Sequence, residues 1–285
     1  MTHIPGLVRE RGDKSPSAGF YVIVILTVVV SFFPIVWLVL TSLKDTNQLY
    51  AWPIQYIPEP PTFRNYEYIL TETPELLRYI LNSFIVSSSM TLIIVLVGGI
   101  AAYSISRIRF RGNQIVLIGI LAVSMFPPVA LIPSLFLIFR DLGLINSYPG
   151  IILAHTALYM PLGIWILSNY FRTIPEEIEE SARIDGASAF RIFWSIILPL
   201  ARPGLISTGL ITFIFSWNEF PLALVLLPDD AMRTAPVGIS LYPGEYSFPW
   251  ETVSTATVLA IIPILLITFI FQRHIVSGLT AGSTK

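Results

Sequence analysis

Six apolar stretches, each long enough to cross a lipid bilayer, constrain the fold of this chain more than any other feature. A spanning helix needs about 20 largely uncharged residues, and the bilayer core offers no water to unpaired backbone groups. Only 12% of the residues are charged, whereas soluble domains carry about 25%. The sequence therefore predicts an all-α integral membrane protein with six transmembrane helices. They are expected at residues 20–43, 81–106, 112–139, 142–171, 203–227 and 252–272.

The distribution of basic residues predicts the orientation of these helices, because cytoplasmic loops retain Lys and Arg. With the N-terminus inside, 12 of the 17 basic side chains fall on the cytoplasmic side. The other five are Lys44, Arg64, Arg78, Arg140 and Arg233. Both termini are therefore expected in the cytoplasm. The first stretch is too long for a signal peptide and no small-residue cleavage site follows it, so we expect a retained helix.

This topology divides the chain into a membrane core and flanking segments. They are a cytoplasmic segment at 1–19, a first helix at 20–43, an outer loop at 44–80, a five-helix core at 81–275 and a cytoplasmic tail at 276–285. Within the core, a second outer loop at 228–251 mixes turn formers with aromatic residues, which is typical of a binding loop. For the loop at 44–80, partner binding and simple capping of helix ends are equally open.

A polar segment at residues 174–203, called the docking segment below, separates the fourth and fifth apolar stretches on the predicted cytoplasmic side. Thr173 and Glu176 have the spacing of a capping box and predict the start of a helix. An apolar stripe should face the protein, while four glutamates lie mostly off it. The stripe consists of Ile174, Ile178 and Ala182. Helices that bind anionic lipid favour Lys and Arg, so the acidic face indicates a protein partner over the alternative of packing along headgroups.

A second short helix is expected after Gly186, which suits a left-handed turn. Ser188 can cap this helix, and Pro199 and Pro203 are expected to end it. Its apolar and aromatic contacts would come from Phe190, Phe193, Trp194 and Ile197. The docking segment is thus predicted as a helix, a glycine turn and a second helix at the membrane surface.

The docking segment resembles the EAA signature of the membrane subunits of ATP-binding-cassette importers. The matching residues are Glu180, Ala182, Gly186, Ile196, Leu198 and Pro199, with Ser181 where the family often has alanine. Three further stretches are similar to the six-helix subunit of maltose-type carbohydrate permeases, which pairs with a larger companion. They are RIDGAS at 183–188, SWNEFPLAL at 216–224 and FQRHIVSGLTAG at 271–282.

This resemblance implies a type I importer permease fold in a bacterial or archaeal cytoplasmic membrane. The implied partners are a second permease, two ATPase subunits that hold ATP and Mg²⁺, and an extracytoplasmic solute-binding protein. The implied cargo is a di- or oligosaccharide or a glycosyl-polyol, with a sugar phosphate as the alternative. The implied ATPase contacts are Glu180, Ala182, Asp185, Gly186 and Ala187. Tyr242, Gly244 and Tyr246 would form the loop that meets the binding protein.

The lysine positions independently exclude one kind of nucleotide site on this chain. A Walker-type phosphate loop requires a lysine directly after glycine. The three lysines are Lys14, Lys44 and Lys285, and none follows a glycine. The chain also has no cysteine, which removes thiolate metal sites and disulfides. We therefore expect no cofactor on this chain.

Few ionisable residues fall inside the apolar stretches. Glu219, beside Trp217 and Asn218, is expected about 24 Å from the cytoplasmic end of its stretch, at 1.5 Å per helical residue. Either a wall of the translocation path or a buried acid bonded to a neighbouring helix fits this position. His155 is expected to make one interhelical hydrogen bond. Four prolines should interrupt helical hydrogen bonding in the third and fourth stretches. They are Pro127, Pro128, Pro133 and Pro161.

Three other functional classes fit the sequence poorly. An intramembrane enzyme would need paired acids or a histidine cluster at membrane depth, and all six aspartates lie outside the expected helices. An ion-coupled secondary transporter, kept as the alternative class, would place several ionisable residues near the midplane. Nucleic-acid binding is disfavoured by the net charge of −1. The sequence therefore predicts a transport subunit and not an enzyme.

Overall fold

The computed structural model describes residues 17–108, 112–242 and 249–280. Across those ranges the chain is helical, without a β-strand. The helices are α1 (Ala18–Ser42), α2 (Thr46–Leu49), α3 (Arg64–Thr71), α4 (Glu75–Ile93), α5 (Gly99–Arg107), α6 (Asn113–Ser124), α7 (Pro128–Asp141), α8 (Tyr148–Phe171), α9 (Glu176–Ile184), α10 (Ala189–Ile192), α11 (Leu198–Leu200), α12 (Arg202–Trp217), α13 (Pro221–Leu226), α14 (Ala235–Ser240) and α15 (Trp250–Thr280). π-Helical turns occur at Ile94–Gly98 and Phe193–Ile197, and a 3₁₀ turn occurs at Asp230–Met232.

Four of the described helical runs are individually long and apolar enough to cross a membrane. They are α1, the continuous run Glu75–Arg107 that joins α4 to α5, α8, and α15 from Trp250 to Gln272. Two bent helix pairs raise the number of candidate spans to six if each pair counts as one span. The all-α membrane fold predicted from the sequence is confirmed.

The third apolar stretch is interrupted at two of the prolines that the sequence singled out, and the interruption is a sharp bend. α6 and α7 meet at 92°. Pro127 has an extended backbone with ψ of 120° because it precedes a second proline, and Pro128 starts the next helix without needing an N–H partner. Pro133 and Pro161, by contrast, lie inside the continuous helices α7 and α8. A single proline is accommodated here, whereas the proline pair produces the sharp turn.

The fifth apolar stretch is also divided. α12 ends at Trp217, and α13 begins at Pro221 after a short break. Pro221 has no N–H to donate to the Trp217 carbonyl, and its ring would clash with that carbonyl in a continuous helix, so α12 cannot continue through Pro221. Glu219 therefore lies in the break between two helices. The depth expected from the sequence had assumed that Glu219 lies on a continuous helix.

The helix α12 is the centre of the bundle, where it packs against α4, α8 and α15. Its buried face is rich in small and hydroxyl-bearing residues, which let helix backbones approach closely in membranes. These residues are Gly204, Ser207, Thr208, Gly209 and Thr212. In contrast, α1 packs along α15, and no residue of its most apolar window is buried within this chain. Lipid or another subunit must therefore cover that surface.

One apolar cluster joins the bundle to the docking segment. It combines α5 and α8 with α9 and the π turn at Phe193–Ile197. Its fully buried members include Ala102, Leu167, Phe171 and Ile197. The docking segment is therefore part of the folded core at this end of the molecule and does not form a free loop.

Gly150 in the first turn of α8 provides a test of this packing. A Cβ added there would lie 2.1 Å from the carbonyl oxygen of Leu144, a backbone atom that cannot rotate away. We expect Gly150→Ala to lower the free energy of unfolding by about 1–3 kcal/mol through overpacking. Gly119→Ala is the matched control, because a Cβ at Gly119 meets no atom within 4 Å. The thermal unfolding midpoints of the two purified variants would be compared, and equal midpoints would contradict the packing described here.

Candidate functional site

The docking segment folds as two helical pieces joined at a glycine. Gly186 has a φ of +81°, so it adopts the left-handed conformation expected from the sequence. Ser188 caps α10, since its hydroxyl accepts the Arg191 N–H at 3.3 Å. The segment then continues through the π turn and α11, and meets α12 at 74°. The predicted helix, glycine turn and capped second helix are thus confirmed.

The apolar stripe of α9 faces the core, as predicted. Ile174 and Ala182 are buried, and Ile178 packs against the same cluster. Phe193 and Ile197 from the second piece join them. This burial fixes which face of the docking segment points away from the bundle.

Both ends of the docking segment differ from the prediction. The Thr173 hydroxyl donates to the Tyr170 carbonyl at 2.8 Å, so it closes the end of α8 and does not cap α9. α9 instead begins after Pro175, and three glutamates in its first turn offset the positive end of the helix dipole. Pro199 does not end the second piece, which continues to Leu200, because the preceding π turn changes the hydrogen-bond spacing. Pro203 opens α12 and ends no helix.

Glu179 was placed off the buried stripe by the sequence, and that placement was wrong. Its side chain is only 4% exposed, and its Oε1 lies 2.8 Å from Nε of Arg107 at the end of α5. The Nε–H does not point along this contact, so it is an ion pair without an aligned hydrogen bond. The Tyr103 hydroxyl donates to Oε2 at 2.9 Å. The sequence did contain a signal for the burial of Glu179. It lies three residues before Ala182, and residues three apart share one face of a helix.

This buried ion pair has a large energetic consequence. The Arg107 side chain is 5% exposed, and a second nitrogen of its guanidinium donates to the Ile174 carbonyl. Removing one partner of an isolated buried pair costs about 3–5 kcal/mol, because the remaining charge is left without compensation. Here Arg183 lies 3.7 Å from Glu179 and Glu176 lies 3.7 Å from Arg107, so more exposed partners offset part of that cost. Arg107 and Glu179 therefore hold the docking segment to the bundle more specifically than apolar packing alone.

The outward face of the docking segment carries most of the predicted contact residues. Glu180, Asp185 and Gly186 are exposed, and Ala187 is half-buried. Ala182 lies on the opposite face within the core. Two apolar side chains also project here. Ile184, which sequence reasoning missed, is 87% exposed, and Phe190, which was expected to supply apolar contacts from the second helix, is 73% exposed. Exposed apolar side chains next to carboxylates are typical of a protein-binding surface.

Glu219 makes all its observed contacts within this chain. Its two oxygens accept the N–H groups of Leu222 and Ala223 at 2.7 and 3.0 Å, which completes the first turn of α13. His155 Nε2 lies 3.1 Å from Oε2, and His155 Nδ1 lies 2.8 Å from the Ser216 hydroxyl. His155 thus makes one contact with α12 and a second with the break that follows it, where one interhelical hydrogen bond was expected. These contacts favour the buried structural role for Glu219 over a role in the path.

The neighbours of Glu219 face different surroundings. Trp217 is buried and stacks on Phe213 with ring centroids 5.5 Å apart. Asn218 is exposed, and its amide donates to the Ile214 carbonyl at 2.8 Å. Of the three residues predicted for the substrate path, Asn218 is the one with an accessible side chain. Among the described residues, no group of three His, Asp or Glu side chains could hold a metal ion.

The loop predicted at residues 228–251 is anchored at its start by a polar network around Asp230. Its carboxylate accepts the Tyr79 hydroxyl at 2.6 Å and the guanidinium groups of Arg78 and Arg233 at 3.2 and 2.7 Å. Asn82 donates to two carbonyls of the same loop. Residues 229–233 are therefore held firmly on α4.

Tyr242 was predicted to contact a binding protein, but its ring is half-buried against the bundle. Burial, followed by its hydrogen bond with Tyr68, raises the pKa of Tyr242 to about 12. The hydroxyl therefore stays protonated at physiological pH. Gly244 and Tyr246, the other residues predicted for this contact, lie outside the described residues.

Comparison with known proteins assigns the chain to a family. Residues 94–281 match the model of the binding-protein-dependent transport system inner membrane component. The chain is 40% identical to the sulfoquinovosyl glycerol transport system permease protein SmoH of Agrobacterium fabrum, covering 89% of this chain and 88% of the relative. It is 38% identical to the trehalose/maltose transport system permease protein MalG of Thermococcus litoralis, covering 92% of this chain and 94% of the relative.

Solved structures agree with the sequence relatives. A chain of a bacterial ABC transporter involved in the import of the acidic polysaccharide alginate superposes with a TM-score of 0.77 at 25% identity, covering 90% of this chain and 95% of the other. A chain of the MetNI methionine ABC transporter shares the fold with a TM-score of 0.55 at 19% identity, covering 74% of this chain and 98% of the other. The chain therefore belongs to the inner membrane components of binding-protein-dependent transport systems, the permease subunits of ATP-binding-cassette importers whose ATPase activity lies in separate subunits.

Proposed function

We propose that this chain is one of two permease subunits of a carbohydrate importer in the cytoplasmic membrane. It would assemble with a companion permease, two ATPase subunits and an extracytoplasmic binding protein. The observation that carries the proposal is the docking segment, whose inner face is fixed in the bundle while its outer face presents carboxylates and apolar side chains. Such a surface suits the binding of an ATPase subunit that moves the bundle through the docking segment.

The proposed ATPase contact is formed by Glu180, Asp185, Gly186 and Ala187 on the outer face of the docking segment. We add Ile184 and Phe190, because their exposed side chains can fill an apolar cleft on the partner. Ala182 would act indirectly, through its position in the core. ATP and Mg²⁺ would be bound by the ATPase subunits.

A carbohydrate is the proposed cargo because the relatives are named for sugars and sugar derivatives. Besides the two relatives above, the trehalose transport system permease protein SugB of Mycobacterium tuberculosis is 37% identical, covering 93% of this chain and 97% of the relative. These names span disaccharides and a glycosyl-polyol, so we propose this chemical class, with a sugar phosphate as the alternative. Coupling to an ion gradient is less well supported, because Glu219 and His155 are bonded to each other.

The proposed orientation places the docking segment and both termini in the cytoplasm, and the network around Asp230 on the outer side. Asn218 is proposed to border the substrate path. The buried side chains of Glu219 and Trp217 are proposed to fix the backbone on either side of Asn218. The segment after Tyr242, which includes Gly244 and Tyr246, is proposed to meet the binding protein. Tyr242 itself would anchor the start of that segment.

The proposed function predicts ATP-dependent uptake by the assembled importer in proteoliposomes. We expect accumulation of a sugar from a panel of trehalose, maltose, sulfoquinovosyl glycerol and diacetylchitobiose, with a sugar phosphate as comparison. The binding protein should show a higher melting temperature with the same sugar. Uptake that requires an ion gradient in place of ATP would contradict the proposal.

Gly186→Asp provides a test of the docking surface. A side chain at φ of +81° strains the turn, and an extra carboxylate changes the proposed ATPase contact. We expect uptake per ATP to fall about tenfold, within the usual range of coupling energies. Gly143→Asp is the matched control, because Gly143 also has a positive φ, of +68°, and open space around it, but lies between α7 and α8. Equal uptake per ATP by the two variants would contradict the proposed contact between the docking segment and the ATPase.

Deletion of residues 243–247 tests the proposed contact with the binding protein. We expect the loaded binding protein to lose its stimulation of ATP hydrolysis, while the basal hydrolysis rate remains. Tyr242→Phe serves as the control, since it keeps the packed ring and removes only the hydroxyl. Full stimulation of the deletion variant would show that this segment is dispensable for the contact.

A further inference from the structure

We infer that Arg107 is a positioning residue that locks the docking segment to the run Glu75–Arg107, so that the two move as one rigid body. The inference rests on the proposed function, because the lock matters for transport only if an ATPase moves the docking segment. It assigns to one ion pair the transfer of the movement of α9 to α5.

The guanidinium of Arg107 reaches two parts of the docking segment at once. Its Nε lies 2.8 Å from Oε1 of Glu179, and one terminal nitrogen donates to the Ile174 carbonyl. The other terminal nitrogen lies 3.7 Å from Oε1 of Glu176. The end of α5 is therefore tied both to the linker before α9 and to α9 itself.

Tyr103 completes the attachment from one turn earlier on α5. Its hydroxyl donates to the second oxygen of Glu179 at 2.9 Å, while Arg107 contacts the first oxygen. Residues four apart on a helix lie on the same face, so both groups approach the carboxylate from α5. Holding both oxygens restricts the rotation of α9 as well as its distance from α5.

The charged side chains are largely shielded from water, although they border a polar cavity that Glu180 and Arg183 also line. The side chains of Arg107 and Glu179 are 5% and 4% exposed. The Tyr103 ring packs on Phe171 and Phe193 with centroid distances of 5.8 and 4.9 Å. In such low-dielectric surroundings polar contacts are strong and costly to break. A force on α9 therefore moves α5 before it separates the two helices.

The position of the lock determines where the movement goes. The run Glu75–Arg107 packs against α8 and, along α4, against the central helix α12. The second piece of the docking segment lacks an equivalent buried ion pair among the described residues and joins α12 through the bend at Ala201. The two pieces of the docking segment thus act on the bundle through different attachments, a polar lock and a covalent bend.

Distance measurements between spin labels can test rigid-body movement directly. The chain has no cysteine, so labels can be placed at Ile100→Cys on α5 and Glu177→Cys on α9, both exposed positions. In the assembled importer we expect one narrow distance distribution that is the same without nucleotide and with trapped ATP. A distance that changes between these states with Arg107 intact would overturn the inference.

The same labels in Arg107→Gln and Glu179→Gln should give broader or shifted distributions. Uptake per ATP should fall about tenfold while ATP hydrolysis continues, as expected for a lost coupling energy. The exchange of both charges, Arg107→Glu with Glu179→Arg, should restore part of the narrow distribution. Unchanged distributions in both single variants would overturn the inference.

A further variant serves if the glutamine variants fail to assemble. Tyr103→Phe removes one hydrogen bond, keeps the packed ring, and should still broaden the distribution of label distances. If the unmodified importer carries no sugar, the proposed function fails. The label distances in the unmodified chain and its Tyr103→Phe variant would still test the lock in detergent. A narrow distribution in that variant, together with full uptake per ATP, would show that the lock does not position α9.

Discussion

The hydrogen-bonding demand of the backbone in a lipid bilayer governs this structure. Hydrocarbon offers no partner to a free N–H or carbonyl group, so the apolar stretches can only be helices. At one interruption of a helix, a polar side chain satisfies the freed backbone groups. At the break after Trp217, the Glu219 carboxylate accepts two N–H groups of α13. The π turn at Phe193–Ile197 keeps the second docking piece helical through Pro199.

The sequence predicted those features that follow from short-range chemistry. Apolar length identified the spanning regions, the backbone freedom of glycine located the turn at Gly186, and the Ser188 hydroxyl marked the start of α10. The sequence predicted an interruption at Pro127 but not its angle of 92°, and it did not predict the break before Pro221. A proline shows where hydrogen bonding is interrupted, but the angle depends on what the two pieces pack against. The capping box at Thr173 failed because its hydroxyl had a competing carbonyl within reach, at the end of α8.

The site was predicted less completely than the fold, for a related reason. Spacing predicted the inward stripe of the docking segment, but it left Glu179 off that stripe, and family resemblance placed Ala182 among the contacts with the ATPase. Ala182 and Glu179 turn inward, whereas Glu180 and Ile184 turn outward. A glutamate is assigned to the surface by default, and its burial depends on Arg107, 72 residues earlier in the sequence. A pattern within the docking segment cannot show a partner that lies so far away in the sequence.

The contacts around His155 also link the hydrogen bonds of α8 and α12 into one chain through Ser216, His155 and Glu219. Glu219 accepts from two backbone groups, and a carboxylate can only accept. In the tautomer of His155 that donates from Nε2 to this carboxylate, Nδ1 is an acceptor and the Ser216 hydroxyl donates to it. For that tautomer, a side chain at position 216 that can only accept would leave two lone pairs facing each other.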